Sequence, residues 1–319
     1  MKSCRILLVG EPMCLFRSNC ADVPLHCADN YSTGIAGAEL NVAIGLTRLG
    51  HQAAYVTKVG NDPFGSMIIH QLEQMHISTH DISRSDTHRT GLVFKEKVTS
   101  GDPEIYYMRA GSAASTLSPA DIDAIDLDGY DAIHMTGILP ALSDNTRAAA
   151  LRLKERALQQ GILVSFDPNL RPQLWPGREA MRDFIHAFAA GCDLFFPGVA
   201  EAQSLTGLTD HQEILDYYCG LGAKTVIMKI GSKGALYQNA HERGQVPGYR
   251  VEVLDTVGAG DGFAAGTLSG LLEGLSLPEA IRRGNACGAR QITVLGDNEG
   301  LPTREQLEDF FRAHEEVTV

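Results

Sequence analysis

The chain has 319 residues, 44% of them apolar and 21% charged, with a formal net charge of −12. That length gives room for one large α/β domain with a sizeable core, and the acidic balance argues against nucleic acid or an anionic membrane as a partner, though not against a small anion met by a local cluster of donors. No apolar run approaches the ~20 residues of a membrane span; the opening MKSCRILLVGEP reads as a buried strand rather than a signal peptide, and seven cysteines with no C-x-x-C read as reduced packing or surface thiols, so a cytoplasmic setting is expected.

In chain order, the first strand is expected over 5–10 (RILLVG), and residues 11–35 then show little helical period. A helix over 38–49 follows Gly34 and Gly37 and stops at Gly50. A strand over 53–60 and a helix over 64–75 come next. Residues 87–110 read as a hairpin around the turn Ser100-Gly101-Asp102-Pro103. Further strands are expected over 131–137, 162–167, 193–198, 225–231 and 235–239. They alternate with helices over 144–160, 178–190, 199–206 and 211–220, and helices over 261–273, 278–294 and 303–314 complete the chain. This rhythm predicts βαβ units: a mainly parallel sheet with helices on both faces, a three-layer α/β/α core. Several strands end in polar or glycine-rich corners, at Gly10-Glu11, Asp167-Pro168-Asn169, Pro197-Gly198 and Gly231-Ser232, and ligand crevices of open α/β sheets lie outside such ends. The two segments that break the rhythm, near 11–35 and 87–110, are expected to form a small β lid over the crevice. No linker or repeat marks a second domain, so 1–319 is read as one.

Five stretches carry candidate chemistry. In DTVGAGDGFAAG (255–266), Gly258, Ala259 and Gly260 precede an apolar helix, where backbone N–H groups and the helix dipole favour an anion. The carboxylate of Asp261 follows at once, either as an ordinary helix-start acid or as a group with chemistry to do. Neither a dinucleotide G-x-G-x-x-G nor a P-loop G-x-x-x-x-G-K-[ST] occurs. In GIAGAELNVAIGLTRLG (34–50), Glu39 and Asn41 sit near a helix start, placed to meet a polyol. In YYMRAGSA (106–113), Tyr107 and Arg109 share one face of an extended strand, and Arg suits a carboxylate. In SFDPNLRPQLW (165–175), Arg171 follows a strand end; an Asx-turn with Arg171 paired to a local acid is the plainer alternative. KIGSKGA (229–235) offers glycine corners at Gly231 and Gly234 suited to a base or ribose, and Asn285 lies on a later helix.

These pieces, in this order and spacing, resemble the ribokinase-like (PfkB) carbohydrate kinases from Ile6 to about Leu307. Within that family, GEP, AGAELNVA, YYMRAGSA, HMTGILPALS and SFDPNLRPQLWP look most like 2-keto-3-deoxygluconate kinases. The resemblance implies an ATP- and Mg²⁺-dependent sugar kinase with a ribokinase-like fold and β lid. It implies Asp261 as catalytic base, with Gly258, Ala259 and Gly260 as the anion hole. Gly37, Ala38, Glu39, Leu40, Asn41, Tyr107, Arg109, Ile138, Arg171 and Asp297 would form the sugar-acid site. Asn169, Lys229, Gly231, Ser232, Gly234 and Asn285 would belong to the nucleotide side, and Glu201 to the metal. The sequence departs from the family at Val93, where relatives often carry a stacking Tyr, and at Gly198, where the N-x-x-E of relatives has Asn.

The expected reaction moves the γ-phosphoryl of ATP to a primary hydroxyl, with backbone donors holding charge and Asp261 accepting the proton. The region after the first strand, GEPMCLFRS, holds no Asp of the kind that neutral-sugar kinases place there, whereas Arg109 and Arg171 offer two cations. A buried unpaired Arg penalises a neutral sugar, so 2-keto-3-deoxygluconate is favoured. Fructose or 5-dehydro-2-deoxygluconate is the alternative, and a non-catalytic sugar or nucleotide sensor stands further off. Exposed lid edges suggest a homodimer formed through the lid.

Overall fold

The computed structural model describes residues 3–99, 101 and 103–316. Thirteen strands are seen among them: β1 (Arg5–Val9), β2 (Met13–Ala21), β3 (Tyr31–Ala36), β4 (Gln52–Gly60), β5 (Ile82–Ser85), β6 (Leu92–Lys97), β7 (Ile105–Met108), β8 (Ala132–Thr136), β9 (Leu163–Asp167), β10 (Leu194–Phe195), β11 (Thr225–Lys229), β12 (Ala235–Asn239) and β13 (Arg243–Val246). The α-helices are α1 (Ala38–Arg48), α2 (Pro63–Gln74), α3 (Pro119–Asp123), α4 (Asp144–Gln159), α5 (Arg178–Ala189), α6 (Val199–Thr206), α7 (His211–Leu221), α8 (Ala259–Leu272), α9 (Leu277–Gln291) and α10 (Arg304–Ala313).

Nine strands form one sheet in the order β13-β12-β11-β10-β9-β8-β1-β4-β5. The pairs from β11 to β5 are parallel, and only the β11–β12–β13 end is antiparallel. Successive side chains of a strand point to opposite faces, and the two cores sort accordingly. Leu7, Val9, Ala54, Val56, Ile133 and Met135 pack on one face with α4, α5 and α7. Ile6, Leu8, Ala53, Tyr55 and Ala132 pack on the other with α1, α2, α8 and α9. Both faces being covered explains why the parallel strands read as near-continuous apolar runs.

Four strands form a second sheet, ordered β3-β2-β6-β7. It is built from the two segments that broke the helical rhythm, and the expected β6–β7 hairpin pairs antiparallel, with Val93 opposite Tyr107. Ser100 and Asp102 of its expected turn lie outside the described residues. Met13, Leu15, Ala36 and Val93 make this sheet's own small apolar cluster.

The expected elements are found within a few residues of their ends, with differences that have local causes. Helix α8 starts at Ala259 rather than at 261, because Gly258 takes the left-handed conformation (φ +78°) and serves as its N-cap. Helix α9 ends at Gln291, short of 294. Among the described residues, the run 250–255 before α8 pairs with no strand. Helices α8 and α9 pack backbone to backbone: a Cβ on Gly266 would stand 2.8 Å from Cys287 Sγ, and one on Gly270 would stand 2.8 Å from Ala280 Cα. This close packing holds the start of α8 against the sheet.

Candidate active site

The C-terminal ends of β1, β8, β9 and β11 and the start of α8 meet at a cavity of about 330 Å³. A second cavity, about 690 Å³, opens from the same turn, and Lys229, Ala259 and Gly260 line both. The first takes Gly37, Ala38, Glu39 and Asn41 from the α1 start, Tyr107 and Arg109 from the lid, Ile138, Asn169, Arg171 and Glu201 from the strand ends, and Asp297 from the loop after α9. The second takes Gly231, Ser232, Gly234 and Asn285. Leu40 is the exception among the residues expected at the sugar site: it is fully buried in the core. The step of about 100° per helical residue turns it away while its neighbours 38, 39 and 41 line the cavity.

The turn at the junction is held by its own backbone. Asp255 Oδ1 accepts from Val257 N at 3.1 Å, and a Cβ on Gly258 would stand 2.2 Å from Asp297 O. The first intrahelical bond of α8 runs from Gly262 N to Gly258 O at 2.8 Å. The N–H groups of Ala259, Gly260 and Asp261 have no partner one turn back, as at any helix start, and all three residues line the cavity. The arrangement suits an anion.

Asp261 stands in the first turn of α8. Asn41 Nδ2 donates to its Oδ2 at 2.8 Å, and Asn41 Oδ1 accepts from Asn298 Nδ2 at 3.1 Å. Thus Asn41 is aimed at Asp261, not left free for a polyol. Burial pushes the Asp261 carboxyl up to about 7; the Asn41 bond opposes this, Asp167 adds to it, Lys229 opposes it, and Glu39 adds to it. Asp167 is held up at about 6, chiefly by burial and against the pull of Lys229, with which it forms an ion pair. Glu39 is likewise raised by burial. Its carboxylate accepts from Thr136 Oγ1 at 2.6 Å and Thr136 N at 3.2 Å, so it supports the site from beneath.

The two arginines part company here. Arg109 is ion-paired to the buried Glu11, so the expectation of two uncompensated cations is corrected: the carboxylate that the first strand delivers to the crevice is a Glu, and it meets Arg109. Among the described residues Arg109 Nε has no hydrogen-bond partner, and its guanidinium lies 5.7 Å from the Tyr107 ring centroid. Arg171 differs. Its Nη1 donates to Leu170 O at 2.9 Å and Asn169 O at 3.4 Å, and no carboxylate partner is found for it among the described residues. The Asx-turn is present, Asn169 N donating to Asp167 Oδ1 at 3.0 Å, but it does not hold Arg171 to an acid. Asp297 is paired to Lys95 at 3.1 Å and lies 3.7 Å from Arg17.

On the other side of the turn, Asn285 Nδ2 bridges Val246 O (3.2 Å) and Pro247 O (2.9 Å) and so braces the wall of the second cavity. Gly231 and Gly234 take positive φ, +63° and +96°, and a Cβ on Gly234 would stand 2.0 Å from Val246 O. Asn169 is held at φ +36°, uncommon for a residue with a side chain. Glu201 accepts from Leu170 N and Gly198 N, both at 2.8 Å. Gly198 has no side chain to add, and among the described residues no group of three or more His, Cys, Asp or Glu could hold a metal ion.

Three charged residues lining the cavity escaped the sequence reading. Glu11 lies two residues past the end of β1, and the strand-end rule pointed at it. Asp167 stood in a quoted motif without a role. Lys95 lies two residues after Val93 on β6 and therefore on the same face; that spacing was its only signal.

The chain matches the family model described as pfkB family carbohydrate kinase over residues 5–304. It is 44% identical over 312 residues to the 2-dehydro-3-deoxygluconokinase of Bacillus subtilis (strain 168), covering 97% of this chain and 95% of that one. It is 32% identical to fructokinase-1 of Oryza sativa subsp. japonica, covering 95% and 96%. A candidate ribokinase II of E. coli, solved in complex with ATP and Mg²⁺, superposes with a TM-score of 0.88 at 27% identity over 98% of this chain and all of that one. With the ribokinase-like sheet, the lid and the glycine turn ahead of Asp261 in hand, the match across nearly the whole length means that the chain belongs to the pfkB family of carbohydrate kinases.

Proposed function

We propose that the protein transfers the γ-phosphoryl group of ATP to the primary hydroxyl of a sugar acid, 2-keto-3-deoxygluconate, giving its 6-phosphate and ADP. The observation that carries the substrate class is Arg171: a guanidinium lining the cavity, bonded among the described residues only to two backbone carbonyls, is satisfied by a carboxylate and left unpaired by a neutral sugar. The relative at 44% identity supports the same reading.

The residues divide the work across the turn. Asp261 removes the proton from the attacking hydroxyl as its oxygen bonds to phosphorus and the bridging P–O bond to ADP breaks. Its raised proton affinity suits a base working near neutrality. The N–H groups of 258–260 hold the charge of the transferring group. Gly231, Ser232 and Gly234 admit the nucleotide into the second cavity, and Asn285 braces it. Mg²⁺ supplies charge neutralisation at the phosphates. The residues fit that ion only loosely: Glu201 lines the cavity, its two oxygens already accept backbone bonds, and it would act through water, as is common for a metal held mainly by phosphates.

A second reading has one observation in its favour. Because Glu11 neutralises Arg109, Arg171 is, among the described residues, the one cation expected at the sugar without a carboxylate partner, a weaker bar to fructose or 5-dehydro-2-deoxygluconate. ADP release measured across sugar acids and neutral sugars decides between them. Turnover of 2-keto-3-deoxygluconate well above fructose is expected; the reverse order overturns the substrate, and no turnover with any sugar leaves the sensor reading.

We also propose a homodimer through the lid. Strand β7 lies at the edge of its sheet, and Ile105, Tyr106, Tyr107 and Met108 are all exposed on it. A monomer by light scattering at micromolar concentration would remove this proposal. A cytoplasmic setting is supported by the free thiols of Cys14, Cys20, Cys27, Cys192, Cys219 and Cys287, and detection in an extracytoplasmic fraction would contradict it.

A further inference from the structure

Lys95 reaches from the small sheet into the site, and the phosphotransfer chemistry leaves it without a task. It is 4% exposed. Its Nζ stands 3.1 Å from Asp255 Oδ2 and 3.1 Å from Asp297 Oδ1, residues that are 160 and 202 positions away in sequence. Those two acids hold the turn that precedes α8. Asp255 accepts from Val257 N through Oδ1 and from Gly296 N, at 3.3 Å, through Oδ2, tying the segment before Gly258 to the loop after α9. The backbone oxygen of Asp297 then packs directly on Gly258. The ammonium therefore joins the lid to both halves of the turn that presents the backbone donors. Lid strand β2 adds a second, more open tie, with Arg17 3.7 Å from Asp297 and 3.4 Å from Glu299.

We propose that Lys95 is a positioning residue that latches the lid to the anion cradle: seating the lid delivers the charge that holds Asp255 and Asp297 together and so sets the 255–258 turn. With the lid away, Arg17 leaves with strand β2, and the two carboxylates face each other over the turn with neither lid cation beside them. Like charges in a partly desolvated site repel strongly, so the turn relaxes. Closure over the sugar and assembly of the donors for the phosphate thereby become one event, a coupling of the kind that lid closure provides in other enzymes. This inference rests on the phosphotransfer reading for its consequence, but the latch itself can be measured without turnover.

The test uses the full chain with Lys95→Met, which keeps the length of the side chain and removes its charge, and Lys95→Arg, which keeps the charge. Hydrogen exchange is read first, on the ligand-free protein. Lys95→Met is expected to speed exchange together in β6 and in the 255–258 turn, with α4 and α5 unchanged, and Lys95→Arg to restore most of the protection. In the turnover assay kcat should fall by roughly 10²-fold, the scale of an ångström-sized misplacement, while nucleotide affinity measured without sugar changes less than severalfold; Lys95→Arg should recover part of kcat. If Lys95→Met does not fold, Asp255→Asn, which removes one end of the latch, takes its place in the same comparison. Turn exchange that stays at the wild-type rate while β6 loosens overturns the latch whatever the activity shows, whereas a wild-type protein that phosphorylates no sugar overturns the proposed function and leaves the exchange result to decide the latch.

Discussion

Asn41 is positioned to set the pH at which the enzyme turns on. The hydrogen bond from Asn41 Nδ2 to Asp261 favours the charged carboxylate, so removing it lifts the proton affinity further. Asn41→Leu keeps the volume of the side chain and deletes the donor; it also deprives Asn298 of one acceptor, but Asn298 Nδ2 retains Ile35 O at 3.4 Å. A hydrogen bond to a charged group is worth about 1.5–3 kcal/mol, or about one to two pH units. Starting from a carboxyl at about 7, the variant should need about pH 8–9 to ionise it. The assay is kcat/KM for the sugar as a function of pH at constant ionic strength, since that ratio reports the free enzyme. Wild type should show an acidic limb near 7, rising with pH because only the carboxylate accepts a proton. In Asn41→Leu the limb should move up, with activity at high pH recovering to within severalfold of wild type. A uniform loss at every pH, with the limb where it was, would refute the reasoning, since it would make Asn41 a packing residue and detach the limb from Asp261.

Asp261→Asn should lower turnover by about 10²–10⁴, the usual worth of a general base, with nucleotide binding retained; near-normal turnover would remove Asp261 from its role. The same variant tests linkage. The folded carboxyl titrates above its ordinary value, so its contribution to stability is greatest at low pH and declines as pH rises toward 7. The melting temperature of Asp261→Asn should therefore gain on that of wild type between about pH 4 and 8; a difference that does not vary with pH would contradict the desolvated carboxylate. Arg171→Met should cut kcat/KM for a sugar acid by about 10–150-fold, the equivalent of one charge-assisted hydrogen bond, and change a neutral sugar far less. Equal losses on both would show that Arg171 does not read the carboxylate.

Much of this was legible in one dimension because it is local or periodic. A strand such as RILLV announces itself by the near-continuous apolar run after its first residue, which burial on both faces demands. Gly258 shows in the sequence because only a residue without Cβ fits a left-handed turn pressed against Asp297 O. Asp261 follows from its place after that turn, and Arg171 from a strand end. Tertiary structure alone decided which side chains face each other. Asn41 meets Asp261 across 220 residues, Glu11 takes up the charge of Arg109, Leu40 turns into the core while Asn41 turns out, and Lys95 reaches from the lid to two acids far along the chain. Composition and spacing record which charges a chain carries; which of them cancel depends on distances of a few ångströms between segments that only the packed fold brings together.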